Sequence, residues 1–516
     1  MVGKESKMKN KFIRKWLVIL TVAAMMIPAG IPANAETVEE GENIAPTAGI
    51  SAETPNVTAE TQKEEISAEM PDMTAETQNE EKSDVQAEGQ NQAKQGVLEA
   101  VRQNTEKAEE ASDAVDVQAE ERTAGEVQIG EQIYPTLTEA FAAAKDGDVL
   151  RLLENAEVSQ PILLTKNVTL DTNGFTVSAA AGFKGNFMFT NRGTFNIVGS
   201  GKIDGSVGTY PLIMINNTGG AVLNIQSSEI TGQGVVQNVG GIVNITGGTL
   251  TASARNTVLS QFGEVHIGAS AHLMAAGEGK SAVQLIGAKM TLSGDAVLSG
   301  NGGIDVFNSN RNEEGTVSAQ VEITGGRIET KDFPVSGNNQ ESAGAEVAIT
   351  GGSLKNISGG TAIYWPMEGQ LTIGGNAVIE GGTGIEAKMG TITIKDNAVI
   401  TGSGEWKEEK PQNGGANPEG SAFLGSAQMY DGCINDSSLV VNILGGTLKS
   451  VNGNAVTIYN TEEKSDVRAD ISVTGGSLQP AAGKGAVKVI TSGDNTTRFD
   501  PDKKCRFVKH MLHPDQ

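Results

Sequence analysis

The chain reads as an all-β solenoid: a right-handed parallel β-helix with a short N-terminal capping helix, preceded by a disordered acidic segment. The first observation behind this is a repeated phrase. Eleven times between Phe195 and Val473 two apolar residues bracket one polar residue, a small-residue turn follows, and another aliphatic comes next. Val243-Asn244-Ile245-Thr246-Gly247-Gly248-Thr249-Leu250 is the plainest copy, and the phrase returns every 20 to 31 residues apart from one gap of 49. A unit of that size cannot bury its own apolar face and must stack on its neighbours. The second observation is another strand signature between the brackets, as in Ala282-Val283-Gln284-Leu285, Thr361 to Trp365, Gly384 to Ala387, Ala455 to Ile458 and Ala486 to Val489. Each coil then holds about three short strands, each pairing with its equivalent one coil on at about 4.8 Å. Eleven or twelve coils predict a rod of roughly 50 to 60 Å, and parallel crossovers are overwhelmingly right-handed.

Taken in order, residues 1–35 read as a secretory signal. Lys4, Lys7, Lys9, Lys11, Arg14 and Lys15 form a basic leader, Trp16 to Ile27 an apolar core, and Ala33-Asn34-Ala35 a small-residue cleavage site. A core of 12 residues is too short for a permanent span, which needs about 20, so the expected location is secreted or extracellular, with no integral membrane segment after cleavage. Residues 36–125 carry 23 acidic and 6 basic residues and no aromatic ring, a composition that cannot offset its own ordering entropy. This tract duplicates 16 residues, Ile50 to Glu65 against Ile66 to Glu81, as a spacer would. It supplies 23 − 6 = 17 of the 24 net negative charges, which argues against a nucleic-acid partner. The only two cysteines, Cys433 and Cys505, are compatible with a bridge after export, and no spacing rule pairs them.

Residues 126–160 read as an N-terminal cap. Thr136-Leu137-Thr138-Glu139 has capping-box spacing, Leu137, Ala140, Phe141 and Ala144 share one helical face, and Gly147 ends the run. Such a helix would cover the open end of the first coil. Residues 161–495 form the β-helix, with inward brackets such as Val321/Ile323 and Val347/Ile349. The turn after the bracket takes two lengths, a Gly-Gly form and a form one residue longer with Asp295, Asn376 or Asn397 in it; Gly, Asn and Asp tolerate positive φ, so both forms turn the same corner. Residues 496–516 leave the repeat and are either a cap, through Phe507, Val508, Met511 and Leu512, or a ragged end.

Tyr134 to Asp148 (YPTLTEAFAAAKDGD), Val168 to Gly174 (VTLDTNG), the Ile-Thr-Gly-Gly-x-Leu coils and Ala362 to Ile373 (AIYWPMEGQLTI) resemble the exported right-handed β-helix repeat proteins of Gram-positive bacteria, within the pectin lyase-like fold group. The resemblance covers roughly residues 127 to 495. It implies a surface or secreted role and leaves activity open, because the group contains pectate lyases, polygalacturonases, other glycan-degrading enzymes and many proteins with no known chemistry.

The candidate contact residues lie on the outside. The row between the brackets begins Asn196, Asn224, Asn244, His266, Thr291, Glu322 and ends Thr393, Asn442, Ser472; stacked polar groups at about 4.8 Å match the hydroxyls of a glycan, or simply make a solvated sheet face. Trp406, in an insertion from Ser403 to Gly420, and Tyr364, outward beside an inward Trp365, are candidate sugar-stacking rings. A second outward row offers Asp305 and Glu386 with Pro334 and Tyr364 between them; three coils, roughly 14 Å, separate the two carboxylates, too far for either glycosidase geometry. No stacked carboxylate cluster for calcium is found, and His266 and His272 lack metal-ligand spacing. Insertions at Asn308 to Ala319, Gly337 to Gly344, Met429 to Ser438 and Asn460 to Asp470 enter at one corner and should project from one side. The reading is therefore a secreted, noncatalytic, monomeric β-helix that presents loops to a glycan, host surface or cell wall, with no metal or cofactor; the alternative is a polysaccharide lyase or glycoside hydrolase of the same fold.

Overall fold

The computed structural model describes residues 125–206, 209–307, 309–311, 315–337, 345–408, 416–426, 438–460, 469–491 and 498–499. All lie in one compact unit, Asp116–Gln516. The signal, nearly all of the acidic tract, both cysteines and most of the C-terminal tail fall outside the described residues.

Within them the chain winds through three long sheets of 16, 13 and 13 strands. The first sheet starts with an antiparallel turn, Val127–Ile129 against Gln132–Tyr134 and Val149–Leu152, and is parallel from there on. All eleven bracket strands follow one another in it without a slip: Asn196 stands opposite Asn224, Asn224 opposite Asn244, Asn244 opposite His266, and Asn442 opposite Ser472. This is a parallel β-helix. A one-residue slip would turn every bracket to solvent; instead Ile245, Ile323 and Ile349 are all 0% exposed.

The second sheet collects the aliphatics that follow the turn. Leu298, which follows a long turn, pairs with Ile328, which follows a Gly-Gly turn, and Leu354, Ile379, Ile400 and Leu448 continue the column. The extra residue is therefore absorbed in the corner. The left-handed position in the long turns is not at Asp295, Asn376 or Asn397, as expected, but one residue earlier, at Gly294, Gly375 and Asp396. In the Gly-Gly form the two glycines have different tasks. The second takes positive φ, 82° at Gly248 and at Gly352. The first faces the coil below, where a Cβ on Gly351 would lie 2.3 Å from the carbonyl oxygen of Thr324.

The third sheet gathers the other strand signature, with Ile363 opposite Ile385 and Val456 opposite Val487. Where it bends toward the first sheet, Asn191, Asn217, Asn238 and Ser260 point inward at 0% exposure. Asn191 Nδ2 donates to Asn217 Oδ1 at 2.8 Å, Asn217 Nδ2 to Asn238 Oδ1 at 2.9 Å, and Asn238 Nδ2 to Ser260 Oγ at 3.0 Å. The same amides also donate to corner carbonyls of Val222, Ala221 and Gly241. Each amide of this ladder is thus hydrogen-bonded, and the column ends where Leu285 follows Ser260.

The N-terminal helix spans Leu137–Ala143, and Thr136 accepts from the Glu139 N–H as the capping spacing requires. Its Phe141 packs edge-on against Phe189 and Phe195 at 5.9 and 6.1 Å, so the helix lies on the first coils. The four corner insertions each leave a third-sheet strand and return to a first-sheet strand, as between Gly302–Phe307 and Gln320–Ile323. Their common corner is as expected; apart from an antiparallel pair, Ser309–Arg311 with Gly315–Val317, how far they project lies outside the described residues.

Two stability predictions follow from the corners. Gly351→Ala is expected to cost on the order of 1–3 kcal/mol, because the clash is with backbone and no rotamer relieves it. Asn217→Ala should cost about 1–3 kcal/mol, since it strips a buried ladder of its middle member, whereas Asn224→Ala on the outer face should cost less. Urea midpoints of the three variants measure both.

Candidate functional site

The outer face of the first sheet carries the predicted asparagines. Asn196, Asn224 and Asn244 are half-buried and form a second ladder: Asn224 Nδ2 donates to Asn196 Oδ1 at 2.7 Å, Asn244 Nδ2 to Asn224 Oδ1 at 2.8 Å, and Asn196 Nδ2 to Thr169 Oγ1 at 3.2 Å. An amide has two donor hydrogens and two lone pairs, so a ladder that uses one of each leaves capacity facing solvent.

The same columns continue into a shallow depression lined by Glu264, His266, Lys289, Glu322, Glu346 and Gln370, among others. Strand alternation explains the lining, since each of these side chains is flanked by inward-pointing residues of the brackets. Within it His266 Nδ1 meets Thr291 Oγ1 at 2.9 Å, its Nε2 lies 3.6 Å from Glu264, and Lys289 lies 3.9 Å from the same carboxylate. Glu322 and Glu346 sit on neighbouring strands two residues out of register, because Gln320 faces Glu346 and Glu322 faces Ala348. Strand spacing and rise put their Cα atoms roughly 8 Å apart. The sequence reading sought paired carboxylates only in the second outward row and missed this diagonal, which period-two counting across adjacent coils would have found. Both glutamates are exposed, without the burial by which glycosidases hold a general acid protonated.

On the outside of the third sheet the expected row needs one correction. The residue between Asp305 and Tyr364 is Ser336, not Pro334, because Val335 is the inward residue of that strand. Three strand steps still separate Asp305 from Glu386. Ser336 Oγ donates to Asp305 at 2.8 Å and Gln284 Nε2 at 3.3 Å, while burial pushes the Asp305 carboxyl up.

Glu386 is on the outer side of the sheet yet 0% exposed, because the chain that follows the insertion crosses over it: Asn417 N–H donates to Glu386 Oε2 at 2.7 Å, and Glu419 N–H to Thr383 Oγ1 at 2.9 Å. Lys388, also 0% exposed, lies 3.8 Å from Glu386. Tyr364 is 8% exposed; its ring stacks on Phe333 at 5.1 Å, with Lys388 Nζ 5.1 Å from its centroid. Trp406 is half-buried; it rests against Gly453, where a Cβ would come within 2.4 Å of the ring, and Lys484 Nζ lies 4.5 Å from its centroid. Trp365 is fully buried, as its inward position requires. The structure therefore brings the asparagines, His266 and the two glutamates onto one face and leaves Tyr364 and Trp406 elsewhere. Among the described residues there is no group of three metal-ligating side chains and no helix long and apolar enough to cross a membrane.

No family model, no curated protein and no solved structure matches the chain.

Glu419 gives a pH-dependent stability. It is 2% exposed, and burial raises its carboxyl above the ordinary 4.5, against the opposing hydrogen bonds from Ser421, Thr457 and Tyr459. A carboxyl raised in the fold binds more protons folded than unfolded, so its contribution is full below the unfolded value and is lost as pH rises through the folded one. Glu419→Gln should flatten that part of the dependence. Thermal melts of wild type and variant from pH 4 to 8 (about the window above the ordinary carboxylate range) measure the difference slope.

Proposed function

We propose that this chain is an exported, noncatalytic, right-handed β-helix of the pectin lyase-like group, whose first-sheet outer face binds an extended extracellular glycan. One observation carries the reading: the depression that continues the asparagine columns, where hydrogen-bonding side chains repeat along neighbouring coils. A polymer lying along the stacking direction meets a new row of donors and acceptors about every 4.8 Å. Three glutamates against one lysine in the lining favour a neutral or basic sugar over a polyanion. The basic, apolar leader at residues 1–35 supports export.

A second reading has one observation in its favour. A Cα separation of roughly 8 Å between Glu322 and Glu346, two outward residues on neighbouring strands, is compatible with the carboxyl spacing that inverting glycoside hydrolysis needs. Their exposure weighs against it.

The full chain on an array of neutral, amino and acidic glycans should bind a neutral or amino polymer, and the His266→Ala/Gln370→Ala double variant should weaken that binding at least about tenfold, ~1.4 kcal/mol. Absence of binding to any polymer, or equal binding by the double variant, overturns the proposal. Release of reducing ends that is lost in Glu322→Gln would establish the second reading in its place.

A further inference from the structure

Lys388 and Glu386 are an anomaly. Two charged side chains two residues apart, Glu386 in the strand Thr383–Ala387 and Lys388 just past its end, both 0% exposed and 3.8 Å apart, are costly to remove from water unless the geometry returns the cost, and Glu386 Oε1 has no hydrogen-bond partner. Neither belongs to the depression on the first sheet. The other carboxyl oxygen is crowded: the Asn417 N–H at 2.7 Å and Thr361 Oγ1 at 3.3 Å both donate to it, and the Asn417 side chain hydrogen-bonds the same carboxyl group. One buried carboxyl thus touches a lysine on the sheet and an asparagine on the segment that crosses it.

We propose that Lys388 and Asn417 are a self-modification site, joined by an amide bond between their side chains with Glu386 as the proton-transfer group. The environment prepares both partners. Burial pushes the Lys388 ammonium down and the Glu386 carboxyl up, so proton transfer from lysine to glutamate leaves an amine and a carboxylic acid, the favoured state for a desolvated pair. A desolvated lysine amine is a competent nucleophile. Its Nζ attacks Asn417 Cγ, the Nζ–Cγ bond forms, and the Glu386 acid delivers its proton to the departing Nδ2 while its carboxyl takes one from Nζ. The Cγ–Nδ2 bond breaks and ammonia leaves. No atom changes oxidation state and no co-reactant is needed. Holding both groups against one buried carboxyl supplies part of the activation that an amide otherwise requires, and the Tyr364 ring over Nζ helps to exclude water from the lysine.

The bond would pin the end of the 403–420 insertion to the third sheet. Non-covalent contacts already hold the insertion's other end, with Asn452 Nδ2 donating to Gly404 O at 2.9 Å and Lys488 Nζ to Glu408 at 2.6 Å. The link would therefore not be needed for the fold.

Mass spectrometry of the purified full chain tests the proposal. The intact mass should be lower than the sequence mass of the processed chain by one ammonia, and a protease digest should contain a branched peptide joining Lys388 to Asn417. Asn417→Ala, which leaves Lys388 and Glu386 in place, should restore the full sequence mass. Asn417→Asp should close with loss of water instead, giving a product with the mass of the linked wild type. A wild-type chain at its full mass, with Lys388 and Asn417 in separate linear peptides, overturns the proposal. So does a deficit of one ammonia that persists in Asn417→Ala, because it must then arise elsewhere.

Discussion

Register between stacked coils is the constraint on which everything else rests. Each strand pairs with its equivalent one coil on, and that pairing runs through all three sheets to the last described strand. The core follows from it, since columns such as Leu298, Ile328, Leu354 and Ile379, all 0% exposed, exist only if no coil slips. Outer-face chemistry follows as well. An asparagine amide can reach its neighbour at 2.7 Å because the backbone has already set the strands at the spacing of a sheet.

Variation in coil length, from 20 to 49 residues, leaves this register untouched because it is confined to corners. The two turn lengths after the bracket deliver their aliphatics to the same column, four insertions leave and rejoin the helix at the corner between the third and first sheets, and the 403–420 insertion does so at the corner between the second and third. Chemistry can thus be added at corners and faces without renegotiating the core, which is how a rigid scaffold comes to carry function on its periphery.

Much of this was legible in the residues, and the remainder was not for definable reasons. Period-two brackets, the capping box at Thr136 and the Gly-Gly turns are local signals, and each stands where its pattern put it. The inner ladder was missed, although Asn191, Asn217 and Asn238 are spaced by 26 and 21 residues, a coil's length; its members look like ordinary turn asparagines until the corner is known to fold inward. The Ser336 register was misjudged by two positions because Pro334 and Ser336 alternate alike and only the buried Val335 separates them. The burial of Glu386 depends on where an insertion lies down after leaving the helix, and that of Tyr364 on Phe333 stacking over it; periodicity encodes neither.

The inner amide column is confined to the N-terminal part of the helix, ending at Ser260, and the helix Leu137–Ala143 closes that end. At the other end Leu478 and Val487 are only partly covered, and Val489 is 39% exposed. Cohesion is therefore graded along the molecule. Within the described windings, those laced by buried amides near the start would be the last to open under a pulling force or a protease.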